Sequence, residues 1–336
     1  MANRNDVARA AGVSGATVSR VFGQTGQVSE NTRELVVKAA KELGYTPNIV
    51  ARNFVKRSSG NIGVVVPMIP KVHIFSVHYF SELLSGIGEA LSEKGFGLLL
   101  MFRKIGLQQT DGFSQFFSGG KVDGCIMLGT TTDDWPLLLE EEHHFCLINN
   151  YLKNKEISFI DTDNVYGAYA AVSYLRSLGH TRIAFLNGPR NFTNSIDREK
   201  GYMSVLEADK LPVVPEYMLE GNYGYKSGVA AADAIVSIKN RPSAVFAAND
   251  RMAAGLITGL KRRDIRVPED ISIIGYDDSD IASTTVPAIT TVKIPFYDMG
   301  YECGIRFIEL ISSKGEKRFQ VFIKPGLVIR DSTKKL

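Results

Sequence analysis

Three cysteines in 336 residues, Cys125, Cys146 and Cys303, are too few and too widely spaced for a disulfide framework. They are odd in number and stand in apolar contexts such as CIMLG and FCLIN, so buried free thiols are expected. No apolar run reaches bilayer length, and the polar start MANRNDVAR lacks the apolar segment of a signal peptide, which sets the expectation of a cytoplasmic chain with no membrane partner. Enzyme signatures are missing too. GIGEAL at 86–91 lacks the third glycine of a dinucleotide loop, there is no P-loop and no G-x-S-x-G elbow, and His180 has no nucleophile near it in sequence. Catalysis and cofactors are therefore not expected. The run EEEHH at 140–144 offers metal-ligand side chains, but neighbours on a helix point about 100° apart, so a solvated helix end is expected and no metal is assigned.

What the chain does have is an uneven distribution of charge. The whole carries 39 Lys or Arg against 36 acids, a net of +3. Residues 1–60 hold nine of those bases and four of the acids, a net of +5, which leaves −2 for residues 61–336. A basic cap on a slightly acidic body is the distribution expected when the cap alone meets phosphates. Within the cap, two short apolar-periodic segments flank AAGVS, where Gly12 can end one helix in the left-handed region and Ser14 can cap the next. Val7, Ala8 and Ala11 share one face, and Val18, Val21 and Phe22 another. The opposite side of the second helix carries Gly15, Ala16, Thr17, Ser19 and Arg20, small and hydroxyl groups plus an arginine, suited to a DNA major groove. Ser29 or Asn31 caps a third helix, with Leu35, Val36, Ala39, Ala40 and Leu43 expected inward and Gly44 at its end.

The words DVARAAGVSGATVSRVF and VSENTRELVVKAAKELGYTPNIVAR closely resemble the lactose-repressor family of bacterial transcription regulators, in register through the whole chain. The resemblance implies a three-helix DNA-binding domain at 1–47 whose second helix reads a half-site. It makes Gly15, Ala16, Thr17, Ser19, Arg20, Asn31 and Arg52 the expected DNA contacts. Gly15 and Ala16 bring no hydrogen-bonding side chain, which shifts the reading toward Thr17, Arg20 and DNA shape. Residues 48–60 correspond to a hinge helix, with Phe54 where the family pushes a leucine into the minor groove. The implied mode is a homodimer on a palindromic double-stranded operator, acting as a repressor, with no tetramer-forming leucine heptad in the ending VIRDSTKKL.

From residue 61 the pattern changes to apolar strands alternating with helical stretches. Strands are expected at 62–67, 96–102, 123–129, 145–149 and 157–161, then at 182–187, 244–249 and 271–278. The fold class is α/β: two doubly wound parallel-sheet lobes, like periplasmic binding proteins, behind the helix-turn-helix domain. The resemblance divides the body into 61–161 plus 292–323 and 162–291 plus 324–336. Ligands in such sheets sit outside the carboxyl ends of strands, a rule that picks out Pro67 and the loop after it, Asn149, Asn187, Asn249 with Asp250, and Tyr276 with Asp277 and Asp278. Matching motifs to the family adds Arg198 from DREKGY, Phe296, and His78 and Tyr79 from VHYFSEL. The expected effector set is His78, Tyr79, Asn149, Arg198, Asn249, Asp277 and Phe296. Carboxylates, amides, an arginine and aromatic faces suit a sugar-like small molecule whose binding shifts the lobes and so the DNA affinity. In some family members a protein corepressor takes part. The alternative function is a sugar-binding module without DNA regulation, which leaves the basic cap unexplained.

Overall fold

The computed structural model describes residues 2–23, 26–45, 58–68, 73–104, 114–139, 141–153 and 156–336. It divides into two compact units, Met1–Gly60 and Asn61–Leu336. The expected hinge helix, with Arg52 and Phe54, lies outside the described residues.

The first unit is three helices, α1 (Arg4–Ala10), α2 (Gly15–Gly23) and α3 (Glu30–Glu42). Asn3 starts α1 with a capping box: its side chain accepts from the Asn5 and Asp6 amides, and the Asp6 carboxylate accepts the Asn3 amide at 2.9 Å. Gly12, at φ 66°, turns the chain, and the Ser14 hydroxyl accepts the Thr17 amide at 3.1 Å to open α2. Of the two candidate caps for α3, Ser29 takes the role by accepting the Thr32 amide at 3.3 Å. Val7, Ala8, Val18, Val21, Val36, Ala39 and Ala40 close one small core. Leu35 and Leu43 do not join it, being 47% and 40% exposed. Leu35 lies about 100° round the helix from Val36, and Leu43 is the cap residue beyond the last turn.

The second unit holds twelve strands among its described residues. They are β1 (Asn61–Met68), β2 (Gly97–Lys104), β3 (Gly124–Leu128), β4 (Phe145–Ile148), β5 (Ser158–Thr162), β6 (Ile183–Asn187), β7 (Met218–Glu220), β8 (Ala244–Ala247), β9 (Ser272–Asp277), β10 (Thr290–Lys293), β11 (Gln320–Ile323) and β12 (Gly326–Val328). The first lobe's sheet runs β11-β5-β4-β3-β1-β2, all parallel; the second runs β12-β10-β9-β8-β6-β7, with only β12 antiparallel. The inner strands are buried on both faces, as their unbroken apolar runs require.

Helices α4 (His78–Glu93), α5 (Trp135–Leu139), α6 (Asn164–Ser177), α7 (Thr193–Ala208), α8 (Tyr225–Ser237), α9 (Asp250–Lys261), α10 (Asp280–Thr284) and α11 (Phe296–Ser312) accompany the sheets. Glycine lets helix pairs in both lobes approach backbone to backbone. A Cβ on Gly86 of α4 would stand 2.1 Å from the Tyr297 carbonyl of α11, and one on Gly300 would stand 2.4 Å from the Leu83 carbonyl. The glycine of GIGEAL thus serves packing. EEEHH falls past the end of α5, where His143 pairs with Glu141 and stacks on Phe117 at 4.4 Å.

The chain crosses between lobes three times, after β5, after β10 and after β11. Two crossings are tied where the Asp163 amide donates to the Ile323 carbonyl at 2.9 Å. The expected crossing at 291–292 falls inside β10, whose ladder on β9 holds Thr290–Lys293 in the second sheet. The chain leaves for the first lobe at Ile294.

Candidate functional site

Burial sorts the second helix of the first unit cleanly. Val18 and Val21 face the core, while Ala16, Ser19 and Arg20 are exposed and Gly15 and Thr17 half-exposed. Asn31 is exposed on the first turn of α3. Arg4 reaches across from α1, its guanidinium 3.4 Å from the Ser19 hydroxyl, which adds a positive charge beside the row. A convex helix with small groups in front and two arginines at its edge can enter a major groove, with the arginines meeting phosphates or guanine edges.

The second site is built at the carboxyl ends of the strands. His78 and Tyr79 begin α4 and Phe296 begins α11, and the three rings cluster edge to face: Tyr79 and Phe296 have centroids 5.4 Å apart, His78 and Phe296 6.0 Å. Asn149 follows β4 at φ 54°. Tyr79 lies against the Asn149 side chain and the Gly129 backbone, and burial holds its hydroxyl well above the ordinary phenol range. Facing them from the second lobe, Arg198 of α7 is almost wholly buried. Its Nε donates to Asn164 Oδ1 at 2.9 Å, Nη1 donates to the Ala248 carbonyl, and the guanidinium lies 3.8 Å over the Tyr276 ring. Nη2 stands 4.0 Å from Asp277 Oδ1.

Asp277 and Asp278, at φ 110° and 58°, hold two successive non-glycine residues in a backbone region that side chains avoid. Asp278 is braced by Arg330 at 2.6 Å. The Asp277 carboxyl is left toward Arg198, and burial pushes its affinity for a proton well above the usual carboxylate range. Tyr79 of the first lobe feels the charges of both Asp161 and Asp277, so the two halves of the set converge. Asn249 is spent on the protein: it accepts the Met252 amide at 2.9 Å and donates to the Tyr223 carbonyl at 3.0 Å. Asp250 braces too, accepting from Ser279 twice and from Thr291. Asn187 turns inward on Ser195 and Gly188.

Sequence reasoning passed over Asp161, wholly buried at the end of β5, although the strand-end rule applied to ISFID finds it. It also passed over Tyr223, whose hydroxyl donates to Asn194 at 2.8 Å, and over a clasp between the lobes. In that clasp the Thr132 amide donates to the Asn191 carbonyl at 2.8 Å and Asn191 to Asp133 at 2.9 Å. Thr193 donates to Asn150 at 2.6 Å, and the Tyr151 hydroxyl to Asp197 at 2.8 Å. No local pattern announces these pairs, because each partner lies on a different lobe.

Among the described residues no helix is long and apolar enough to cross a membrane. Residues 5–48 match the lacI family of bacterial regulatory proteins, and residues 172–333 match the periplasmic binding protein-like domain. The regulator CelR of Thermobifida fusca is 33% identical over 97% of this chain and 96% of its own length. The repressor PurR of Vibrio parahaemolyticus is 32% identical over the full length of both chains, and CytR of Escherichia coli is 31% identical over 100% of this chain and 97% of its own. Among solved structures, the Lac repressor dimer bound to operator and the anti-inducer ONPF superposes with a TM-score of 0.84 at 26% identity, over 99% of each chain. The CelR–cellobiose complex gives 0.76 at 31%, covering 99% of this chain and 100% of that one. A basic helix-turn-helix unit, two parallel-sheet lobes and full-length likeness to three repressors and regulators place the chain in the lacI family of bacterial regulatory proteins, as a DNA-binding transcription regulator.

Proposed function

We propose that the protein is a repressor that binds a palindromic operator as a homodimer in the cytoplasm and is controlled by a small sugar-like effector held between its lobes. The observation that carries the effector reading is the convergence of aromatic rings, amide, arginine and carboxylates from both lobes: Tyr79, Phe296 and Asn149 on one side, Arg198 and Asp277 on the other. A polyol fits that set, because hydroxyls can donate to the carboxylates, accept from the arginine and lay C–H faces on the rings. A ligand touching both sides stabilises one lobe arrangement over another, and the clasp of Thr132, Asn150 and Tyr151 with Asn191, Thr193 and Asp197 holds the lobes as they stand without it.

Thr17, Ser19 and Arg20, with Asn31 on α3 and Arg52 and Phe54 in the expected hinge, are the groups proposed to meet DNA. The dimer is proposed to form along the β2 side of the first lobe, where Leu98, Leu99 and Phe102 on the edge strand are 36–44% exposed and Met68 is 47% exposed. Two such chains present two recognition helices to half-sites about one DNA turn, ~34–36 Å, apart. Selection of bound duplexes from a random library by the purified full chain, at about 50 and 200 mM salt, is the test. A palindrome recovered at both salts is expected. Sequences without symmetry, or binding lost entirely at the higher salt, would remove the dimeric-operator reading.

A further inference from the structure

The turn that carries Asp277 is held in a conformation its own residues disfavour. Asp277 and Asp278 stand at φ 110° and 58°, one after the other, where a side chain crowds the backbone. Such a turn persists only when its surroundings over-determine it. Asp277 enters it from the β9 ladder, where it pairs with Lys293 of β10, and its carbonyl accepts the Ile294 amide at 3.4 Å. Ser279 leaves it pinned to Asp250 Oδ2, through its amide at 2.8 Å and its hydroxyl at 2.9 Å. Between those two anchors, Arg330 Nη2 donates to Asp278 Oδ1 at 2.6 Å, and the Asp278 amide donates to the Thr291 hydroxyl at 3.4 Å.

Arg330 is aimed by its own backbone. It follows β12, in a segment laced along the start of β10: the Arg330 amide donates to the Thr290 hydroxyl at 3.0 Å, the Asp331 amide to the Ala288 carbonyl at 3.0 Å, and the Thr290 amide to the Ser332 hydroxyl at 2.8 Å. Nη1 is fixed on the Ile289 carbonyl at 3.0 Å, which leaves Nη2 facing Asp278. The two side chains are 21% and 15% exposed, so the pair is shielded from the solvent that weakens surface ion pairs.

We propose that Arg330 is a positioning residue for the effector: by holding Asp278 in the left-handed region it keeps the carboxyl of the residue before it, Asp277, turned toward Arg198, 4.0 Å away. This rests on the effector-cleft reading above and deepens it. Without the brace Asp278 relaxes to negative φ, which rotates the peptide joining it to Asp277 and swings the Asp277 carboxyl out of place. A non-glycine residue favours the negative region by a factor on the order of 5–30. Glycine has no such preference, so Asp278→Gly removes the ion pair and the strain it restrains together, whereas Asp278→Ala removes the ion pair and keeps the strain. An arginine that only fastened the carboxyl-terminal segment to β10 would leave those two substitutions alike.

The test compares R330A, D278A, D278G and the double variant R330A/D278G in the full chain. Crystal structures read the turn directly. In R330A and D278A the Asp277 carboxyl is expected to move by about 1 Å or more, enough to undo a built site, and in D278G and R330A/D278G it is expected to stay. Calorimetric titration with ribose, glucose, galactose and cellobiose reads the consequence. The sugar that the parent chain binds most tightly is expected to bind R330A and D278A about 5- to 30-fold more weakly, and the loss from R330A should shrink below about threefold in the D278G background. An Asp277 that stays in place in R330A and D278A, or a loss of the same size in both backgrounds, overturns the proposal. Should R330A fail to fold, D278A against D278G decides alone; should none of the four sugars bind, the crystal structures decide. The cleft reading fails separately. Binding that survives D277N removes Asp277 from the site, whereas binding lost in D277N and kept in R330A spares the cleft and sinks the role of Arg330.

Discussion

The α2 face and the interlobe cleft are both polar, and they are made in opposite ways. On α2 the polar groups are sequence neighbours, exposed over a core of seven small apolar residues, and their bonds are slight, Thr17 to Ser14 and Ser19 to Arg4 of α1. In the cleft the polar groups come from separate elements spread along the chain between His78 and Asp277, and Asp161 and Arg198 are almost wholly buried. Exposed readers cost the fold little and can be exchanged one at a time. Buried polar groups can be supported from behind, as Arg198 is by Asn164 and Tyr276, so that removing Arg198 carries a structural cost along with any functional one.

Substitutions can break this comparison, and the largest effect is expected at Arg198. R198A should weaken effector binding by at least 100-fold and lower the melting temperature, because Asn164 and the Ala248 carbonyl lose a buried charged partner, a loss of the order of 3–5 kcal/mol for a buried pair. Operator affinity without effector should stay within threefold, read by fluorescence anisotropy. Next, R20A should weaken operator binding by about 10- to 100-fold, the range of one good base-edge pairing at ~1–3 kcal/mol. Its melting temperature and effector affinity should not move. A large stability loss in R20A, or none in R198A, would collapse the distinction between the two sites.

A third effect sharpens the comparison within the cleft. Asp161 is raised to about 8 chiefly by burial, and Asp250 to about 7 for the same reason, although Asp250 has three donors to hold its charge. A carboxyl raised in the folded state favours folding while protonated. That contribution is whole below the unfolded value near 3.9 and is lost as pH rises through the folded value. Melts between pH 5 and 9 should therefore show the parent losing several degrees relative to D161N as pH climbs from 5 to about 8, and levelling off above that. The smallest effect is expected from Y151F, which removes the hydrogen bond to Asp197 across the clasp. At about 1 kcal/mol it should change effector affinity about fivefold by altering the balance of lobe arrangements. DNA contacts are untouched, so effector-free DNA affinity reports the same shift through the lobes alone.

These contrasts also explain what the sequence discloses. The helix-turn-helix unit is legible because its determinants are local: Gly12 and Ser14 mark the turn, and valines at helical spacing mark the core. Leu35 misleads because apolar character alone does not say which side of α3 is inward. The parallel strands are legible as unbroken apolar runs, whereas β7, β11 and β12 are short edge strands whose half-exposed residues leave a weak pattern. Asn249 is selected by motif, and its amide is turned to capping α9 and holding Tyr223. Asp161 is passed over because ISFID reads as a strand and its last residue as a boundary. Only the folded sheet shows that boundary opening onto Arg198 and Tyr79.

The three crossings between lobes have a consequence for synthesis. A ribosome delivers the first five strands early, but the helix that covers Gly86 and the edge strand that completes the first sheet come only with residues 296–323, after nearly all of the second lobe. The nascent first lobe therefore waits with its α4 face and β5 edge uncovered while some 130 further residues emerge, from Asp163 to Lys293. At roughly 5–20 residues per second that is an interval of about 7–26 s in which the half-built sheet lacks its last strand and covering helix, so the two lobes are completed almost together, by residues late in the sequence.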